Sequence, residues 1–181
     1  MHASTDEKIL ELIRKKETKN YGFDLLMKKY QVRVYHHIRR LLKNHQDTDD
    51  VMQDTFIKVW DNLDTFREDS GIFTWIYRIA SNEALSFLRK RKIRRMLSLG
   101  VDTGSKDEPF STQDRDGEEI YHKLMKAVAR LPAKQQLVFN MKYFDEMKYT
   151  EISRVLGTSV GALKASYHHA IRKIKENIQE D

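Results

Sequence analysis

Apolar residues recur at three- and four-residue spacing through most of the chain, the period of a helix buried along one side. Ile9, Leu12 and Ile13 predict a short first helix. Phe23, Leu26, Met27, Tyr30, Val34, Ile38, Leu41 and Leu42 predict a second, longer one. A third is expected from Asp47 to about Leu63 and a fourth from about Ile72 to Arg95. No segment with period-two alternation competes. The pattern then stops. MLSLGVDTGSKDEPFSTQDRDGEE holds three Gly, one Pro and many Ser, Thr and Asp, the composition of a linker. Helical spacing returns from Glu118 with Leu124, Val128 and Leu131, and breaks at Pro132. The expected fold is all-α: two small helical domains, 1–96 and 118–181, joined by a flexible linker, 97–117. Each can build a small core, the second near the lower size limit for folding alone.

The second module carries the sharpest local pattern. Glu151, Ile152, Val155 and Leu156 form a short amphipathic helix, and Gly157 follows where a left-handed cap is favoured. Ser159 suits the N-cap of the next helix. In that helix Leu163, Tyr167, Ala170, Ile171, Ile174 and Ile178 lie on one stripe. Small and polar residues are left facing outward: Ala162, Lys164, Ala165, Ser166, His168, His169, Arg172 and Lys173. Helix, Gly turn, helix is a helix-turn-helix. In DNA-binding versions the start of the second helix enters the major groove, where Ala meets thymine methyls, Ser bonds either way and Lys reaches guanine acceptors. Arg172 lies further along, where phosphate contacts would position the helix. The other reading is that the small face packs on a neighbouring helix.

In the first module, DTDDVMQDTFIKVWDNL is an acidic amphipathic helix. Asp50, Gln53 and Asp54 share one outward face by i, i+3, i+4 spacing. Asp47 can cap, and early carboxylates suit the positive end of the helix dipole. Dipole chemistry accounts for Gln53 and Asp54 less well than a docking face for a basic protein partner does. The next helix places Arg78, Asn82, Ser86 and Arg89 on one stripe, with Phe66, Phe73, Trp75 and Tyr77 at its start. It ends in Arg89, Lys90, Arg91, Lys92, Arg94 and Arg95, an electrostatic footprint for a phosphate backbone. Aromatics beside basic and amide groups suit unstacked bases. Trp75 is expected mostly in the core.

Composition changes this picture little. Lys and Arg outnumber Asp and Glu, 33 to 27, for a formal net charge of +6. That excess favours an acidic partner. Cysteine is absent, which excludes disulfides, thiol nucleophiles and Cys-ligated zinc and fits a reducing cytoplasm. The sequence holds no apolar run of the ~18 residues that mark a membrane span. The start, MHASTDEKIL, lacks the pattern of a signal peptide. A cytoplasmic location is expected. A Gly-rich phosphate loop and metal-ligand spacing are missing. His36–His37 and His168–His169 are adjacent pairs, which diverge by about 100° on a helix. No catalytic residue, metal, cofactor or small-molecule substrate is expected.

Three segments in order carry a family resemblance. DDVMQDTFIKVW, FREDSGIFTWIYRIASNEALSFLRKRKIRR and LPAKQQLVFNMKYFDEMKYTEISRVLGTSVGALKASYHHAIRKI resemble regions two and four of bacterial RNA polymerase sigma factors of the extracytoplasmic-function (ECF) group. The resemblance implies promoter-directed transcription initiation on core polymerase, with partners in the beta-prime clamp and beta subunits, promoter DNA and an anti-sigma factor. It implies that Asp50, Gln53 and Asp54 meet the clamp. It implies that the loop Phe66 to Ser70, with Phe66, Arg67 and Ser70, pockets a flipped −10 base. Arg78, Ser81 and Asn82 would hold the unwound strand, and Arg89, Lys90, Arg91 and Lys92 the duplex-side backbone. Ser159, Ala162, Lys164, Ala165, Ser166 and His168 fall on recognition-helix positions for the −35 element. Two departures stand out. Ser166 replaces an Arg common in the family, so a strong guanine contact is missing, and Ser86 stands where many members have Asp. The runner-up is a free-standing helix-turn-helix regulator whose first module dimerises or senses. It would need neither the Asp50–Gln53–Asp54 face nor the Arg78–Asn82 stripe.

Overall fold

A computed structural model describes residues 5–67, 69–97 and 115–179. Among them the chain is helical without strands: α1 (Asp6–Arg14), α2 (Lys19–Leu42), α3 (His45–Asn62), a 3₁₀ turn (Leu63–Thr65), α4 (Ile72–Leu97), α5 (Arg115–Ala129), α6 (Ala133–Tyr143), α7 (Tyr149–Leu156) and α8 (Val160–Gln179). Glu68 and residues 98–114, most of the expected linker, lie outside the described residues. Helix α5 begins at Arg115, inside the span expected to be linker.

Helices α1 to α4 pack around a shared core. Leu26, Val34, Ile38, Val59, Ile76, Tyr77, Ala80 and Ala84 are fully enclosed. Helix α1 lies so close to α2 that a Cβ at Gly22 would sit 2.9 Å from the Ile13 side chain and 2.9 Å from its backbone nitrogen. Helix α2 closes at Lys43, which takes a left-handed conformation (φ 63°) and returns its N–H to Arg39. The start of α3 differs from expectation. Asn44 is the cap, its side chain accepting from the Asp47 N–H at 2.9 Å. Asp47 sits one turn inside and contributes through the helix dipole instead.

In the second module α7 and α8 form the expected helix-turn-helix. Gly157 occupies the left-handed region (φ 62°) and donates its N–H to Ser153. Ser159 accepts from the Ala162 N–H at 3.3 Å, capping α8. Glu151 reaches back to the Lys148 N–H at 2.7 Å and fixes the start of α7. Leu163, Ala170 and Ile174 of the apolar stripe are buried, whereas Ile178 at its end is exposed.

Two separate cores were the expectation, and the structure joins them. The reason is α6. Leu137, Val138, Phe139, Asn140 and Met141 are consecutive and all buried, so the middle of this helix is enclosed on all sides. Phe139 packs with Ala127, Val128, Leu131, Ala170 and Ile174 inside its own module. Leu137, Val138 and Met141, with Met147, Ile152 and Val155, continue the core of α1–α4. Helices α6 and α7 therefore rest on α2 and α4.

Two glycines give direct tests. Gly22→Ala overfills the α1–α2 crossing and is expected to cost about 1–3 kcal/mol. Gly157→Ala meets no neighbour, so its expected cost, about 1–2 kcal/mol, is that of the left-handed backbone alone. Denaturant unfolding measures both, and Gly157→Asn should recover much of the second loss.

Candidate docking and nucleic-acid faces

On α3 the i, i+3, i+4 spacing holds in three dimensions: Asp50, Gln53 and Asp54 are all exposed. Beside them runs an apolar groove of about 520 Å³, lined by Phe23 and Met27 of α2 and by Asp49, Met52, Gln53, Phe56, Ile57 and Trp60 of α3. Phe23 meets Trp60 edge-on, with centroids 4.9 Å apart. Ile57 is 52% exposed. The groove escaped the sequence reading because α2 supplies part of its wall, Phe23 and Met27. Ile57 was its one legible sign, an apolar residue one turn beyond Gln53.

The face expected to hold unwound DNA begins at the loop after α3. Phe66 is half-buried, Arg67 exposed and Ser70 half-buried. Phe66 lies 5.1 Å from the Trp75 ring, which is itself half-buried against the core. Along α4, Arg78 and Asn82 are exposed. Ser81 departs from the expectation. It is 1% exposed, and its hydroxyl donates to the Tyr77 carbonyl at 2.6 Å. It points into the protein because it falls one position before Asn82, on the buried side of α4. At the basic end Arg89, Lys90 and Lys92 are exposed, while Arg91 pairs with Asp47 at 3.2 Å.

On α8, Ser159, Ala162, Lys164, Ala165, His168 and Arg172 are exposed and Ser166 is half-buried. The small face therefore lies outside the core of its own module. His168 and His169 are exposed with ring planes 66° apart.

The two modules present these faces toward each other. Asn82 and Leu85 of α4 share a cavity of about 330 Å³ with Thr158, Ala162 and Ser166 at the start of α8. Arg78 donates through Nε at 3.1 Å, and through a second guanidinium nitrogen, to the carbonyl of Arg154. That carbonyl belongs to the last turn of α7, so Arg78 completes a helix C-terminus. Gln136 donates to the Arg40 carbonyl at 3.2 Å. Asp145, between α6 and α7, has a side chain only 6% exposed and receives Arg40 on Oδ1, with His37 Nδ1 at 3.1 Å from Oδ2. His37 is fully buried and its Nε2 lies 3.0 Å from Ser81 Oγ. Burial raises the Tyr77 hydroxyl well above its ordinary range, with Asp145 adding to the shift. His36, next to this cluster, is held below the usual imidazole range by burial first and by Arg40 second, with Asp145 opposing.

This order of parts has counterparts among known proteins. The family model Sigma-70 region 2 matches residues 26–94, and Sigma-70, region 4 matches residues 121–174. The ECF RNA polymerase sigma-E factor of Escherichia coli (strain K12) is 29% identical over 185 residues, covering 97% of this chain and 95% of the relative. ECF RNA polymerase sigma factor SigW of Bacillus subtilis (strain 168) is 27% identical over 160 residues, covering 83% and 86%. Among solved structures, the sigma factor RpoE in complex with the anti-sigma factor NepR from Bartonella quintana superposes with a TM-score of 0.73, at 23% identity, over 88% of this chain and 98% of that one. CnrH in complex with the cytosolic domain of CnrY gives a TM-score of 0.71, at 21% identity, over 98% and 99%. The chain belongs to the sigma-70 family of RNA polymerase sigma factors, in the ECF group, with α2–α4 as its region 2 and α5–α8 as its region 4. Among the described residues no helix is long and apolar enough to cross a membrane.

Proposed function

We propose that this sigma factor docks on core RNA polymerase through the acidic face and groove of α3, and that it reads promoter DNA with α4 and α8. It would act in the cytoplasm and perform no covalent chemistry. The observation that carries this reading is the pairing on α3 of exposed Asp50, Gln53 and Asp54 with an adjoining apolar groove. Carboxylates rimming an apolar slot suit a basic, helical protein surface such as the beta-prime clamp. A free-standing regulator has no use for it.

In region 2, Phe66, Arg67 and Ser70 flank the expected base pocket, and Arg78 and Asn82 face the unwound strand. Capturing a base offsets part of an unstacking cost of a few kcal/mol. Ser81 acts from inside, holding the back of α4. Arg89, Lys90, Arg91 and Lys92 track the duplex backbone. In region 4, Ala162, Ala165 and Ser166 let α8 approach base edges, Lys164 reaches guanine acceptors, and Ser159, His168 and Arg172 meet the backbone. Arg78 and Asn82 turn toward α7 and α8 in the closed arrangement. Reading both elements at once therefore requires the modules to part. An anti-sigma partner is inferred from the solved relatives, both of which carry one or are bound to the cytosolic domain of another protein.

Run-off transcription with matched core polymerase tests the reading: promoter-specific transcripts should require both components. Asp50→Ala with Gln53→Ala should lower core binding tenfold or more, about 1.4 kcal/mol, and transcription with it. Wild-type transcription from that variant would remove the docking assignment. Lys164→Ala should cost about 1–3 kcal/mol on the selected upstream element and little on unrelated duplexes. Equal loss on every sequence would make Lys164 a phosphate contact.

A further inference from the structure

Two cavities open along the seam between the modules, and they adjoin. The larger, about 740 Å³, lies between the basic end of α4 and the turn from α5 to α6. Lys43, Arg89, Arg91, Lys92, Arg95 and Lys134 line it, and its lining includes no Asp or Glu. Arg91 is held by Asp47 at 3.2 Å. Arg89, Lys92, Arg95 and Lys134 are exposed and form no ion pair among the described residues. Like charges gathered around one hollow repel one another, so an anion placed there relieves that repulsion as well as adding contacts. Pro132 gives α6 no side-chain cap, and the positive end of that helix adds to the same field at Ala133 and Lys134. The smaller cavity, about 330 Å³, differs in chemistry. Leu137, Val138, Leu156 and Leu163 make its apolar walls, and Asn82, Thr158 and Ser166 supply an amide and two hydroxyls. Leu85 and Lys134 border both cavities.

We infer that this pair of cavities is a binding site for a nucleoside polyphosphate, with the base in the smaller cavity and the phosphates in the larger. Each has the size of a small-molecule site, about 300–1,000 Å³. An apolar slot with an amide and two hydroxyls suits a flat heteroaromatic ring with hydrogen-bonding edges. Lysine and arginine suit phosphate, arginine through paired donors. Without a carboxylate at the wall to hold a divalent ion, these cations neutralise the phosphates directly. Duplex DNA accounts for the cations alone, because its bases are stacked inside the helix and cannot enter the smaller cavity. Both cavities draw their walls from both modules, so the complete site exists only while the modules are together. The ligand therefore favours the closed arrangement, by as much as its affinity for the two arrangements differs. Bound there, it also withholds Asn82, Ala162 and Ser166 from DNA. That consequence rests on the function proposed above, whereas the site itself does not.

Titration calorimetry of the full chain with ATP, GTP, tripolyphosphate and adenosine, without magnesium, tests the site. ATP or GTP should bind about tenfold or more tightly than tripolyphosphate or adenosine. Magnesium should weaken that binding, since it competes with the cations for the same oxygens. Arg95→Gln with Lys134→Gln should weaken nucleotide and tripolyphosphate alike. Ser166→Leu fills the smaller cavity and should remove the nucleotide's advantage while leaving tripolyphosphate unchanged. A second measurement follows the modules. The chain has no cysteine, so Tyr21→Cys and Ile120→Cys, both at exposed positions in different modules, accept a donor–acceptor pair for energy transfer. In an Arg78→Ala background, which loosens the seam, saturating nucleotide should raise the closed fraction. Equal affinity for nucleotide and tripolyphosphate would leave only a stretch of basic surface for DNA, and a Kd weaker than about 1 mM for both nucleotides would leave no site. Either result, or a closed fraction that does not rise, overturns the assignment. None of them bears on core binding by the α3 face or on promoter choice by α8, so the two readings fall separately.

Discussion

The arrangement depends on the middle of α6 being buried on every side. A helix that covers one face can belong to one module. This one gives Phe139 to its own module and Leu137, Val138 and Met141 to the other. Burial of each such side chain contributes about 1.5–3 kcal/mol, enough to bring the modules together without help from the linker. The apolar contact sets the approach, and the polar groups at its margin set the register. Asp145 meets α2, Gln136 meets the Arg40 carbonyl, and Arg78 meets the end of α7. Because α4 lies under α7, Arg78 and Asn82 border the contact, while the basic end of α4 and most of the outer face of α8 stay exposed.

The same contact has a flaw. Asn140 lies one turn beyond Gln136 on the same side of α6, fully buried, and neither of its side-chain polar atoms meets a hydrogen-bond partner among the described residues. A buried amide left unsatisfied costs about 1–3 kcal/mol, comparable to what one apolar side chain contributes. Replacing it with leucine-like packing would make a better permanent core. Its presence lowers the stability of this contact, which suits a joint that comes apart on the function proposed above.

Much of the fold was legible because it depends on short-range rules. Gly157 and Ser159 announced the turn between α7 and α8, and the Leu163–Ala170–Ile174 stripe announced its buried side. The Asp50–Gln53–Asp54 face also followed from spacing within one helix. Most of what was missed involves two elements at once. The groove beside that face needs α2, the Asn44 cap precedes the periodic stretch, and the inward turn of Ser81 needs His37, 44 positions earlier in the chain. The continuous apolar run Leu137–Met141 was visible in the sequence. A run of that kind signals burial without saying against what, and only the tertiary contact shows that it serves both modules.

Arg78 shows what closure does to binding at a distance. Its guanidinium completes the end of α7, and on the function proposed above it is released when the modules part. Any ligand that requires the released form sees only the open fraction, and its apparent affinity is lowered by that fraction. A partner on the far side of α3 that favours the open form removes the same handicap for every other ligand. Two ligands that never touch then become cooperative, and the size of that cooperativity cannot exceed the closed-to-open ratio.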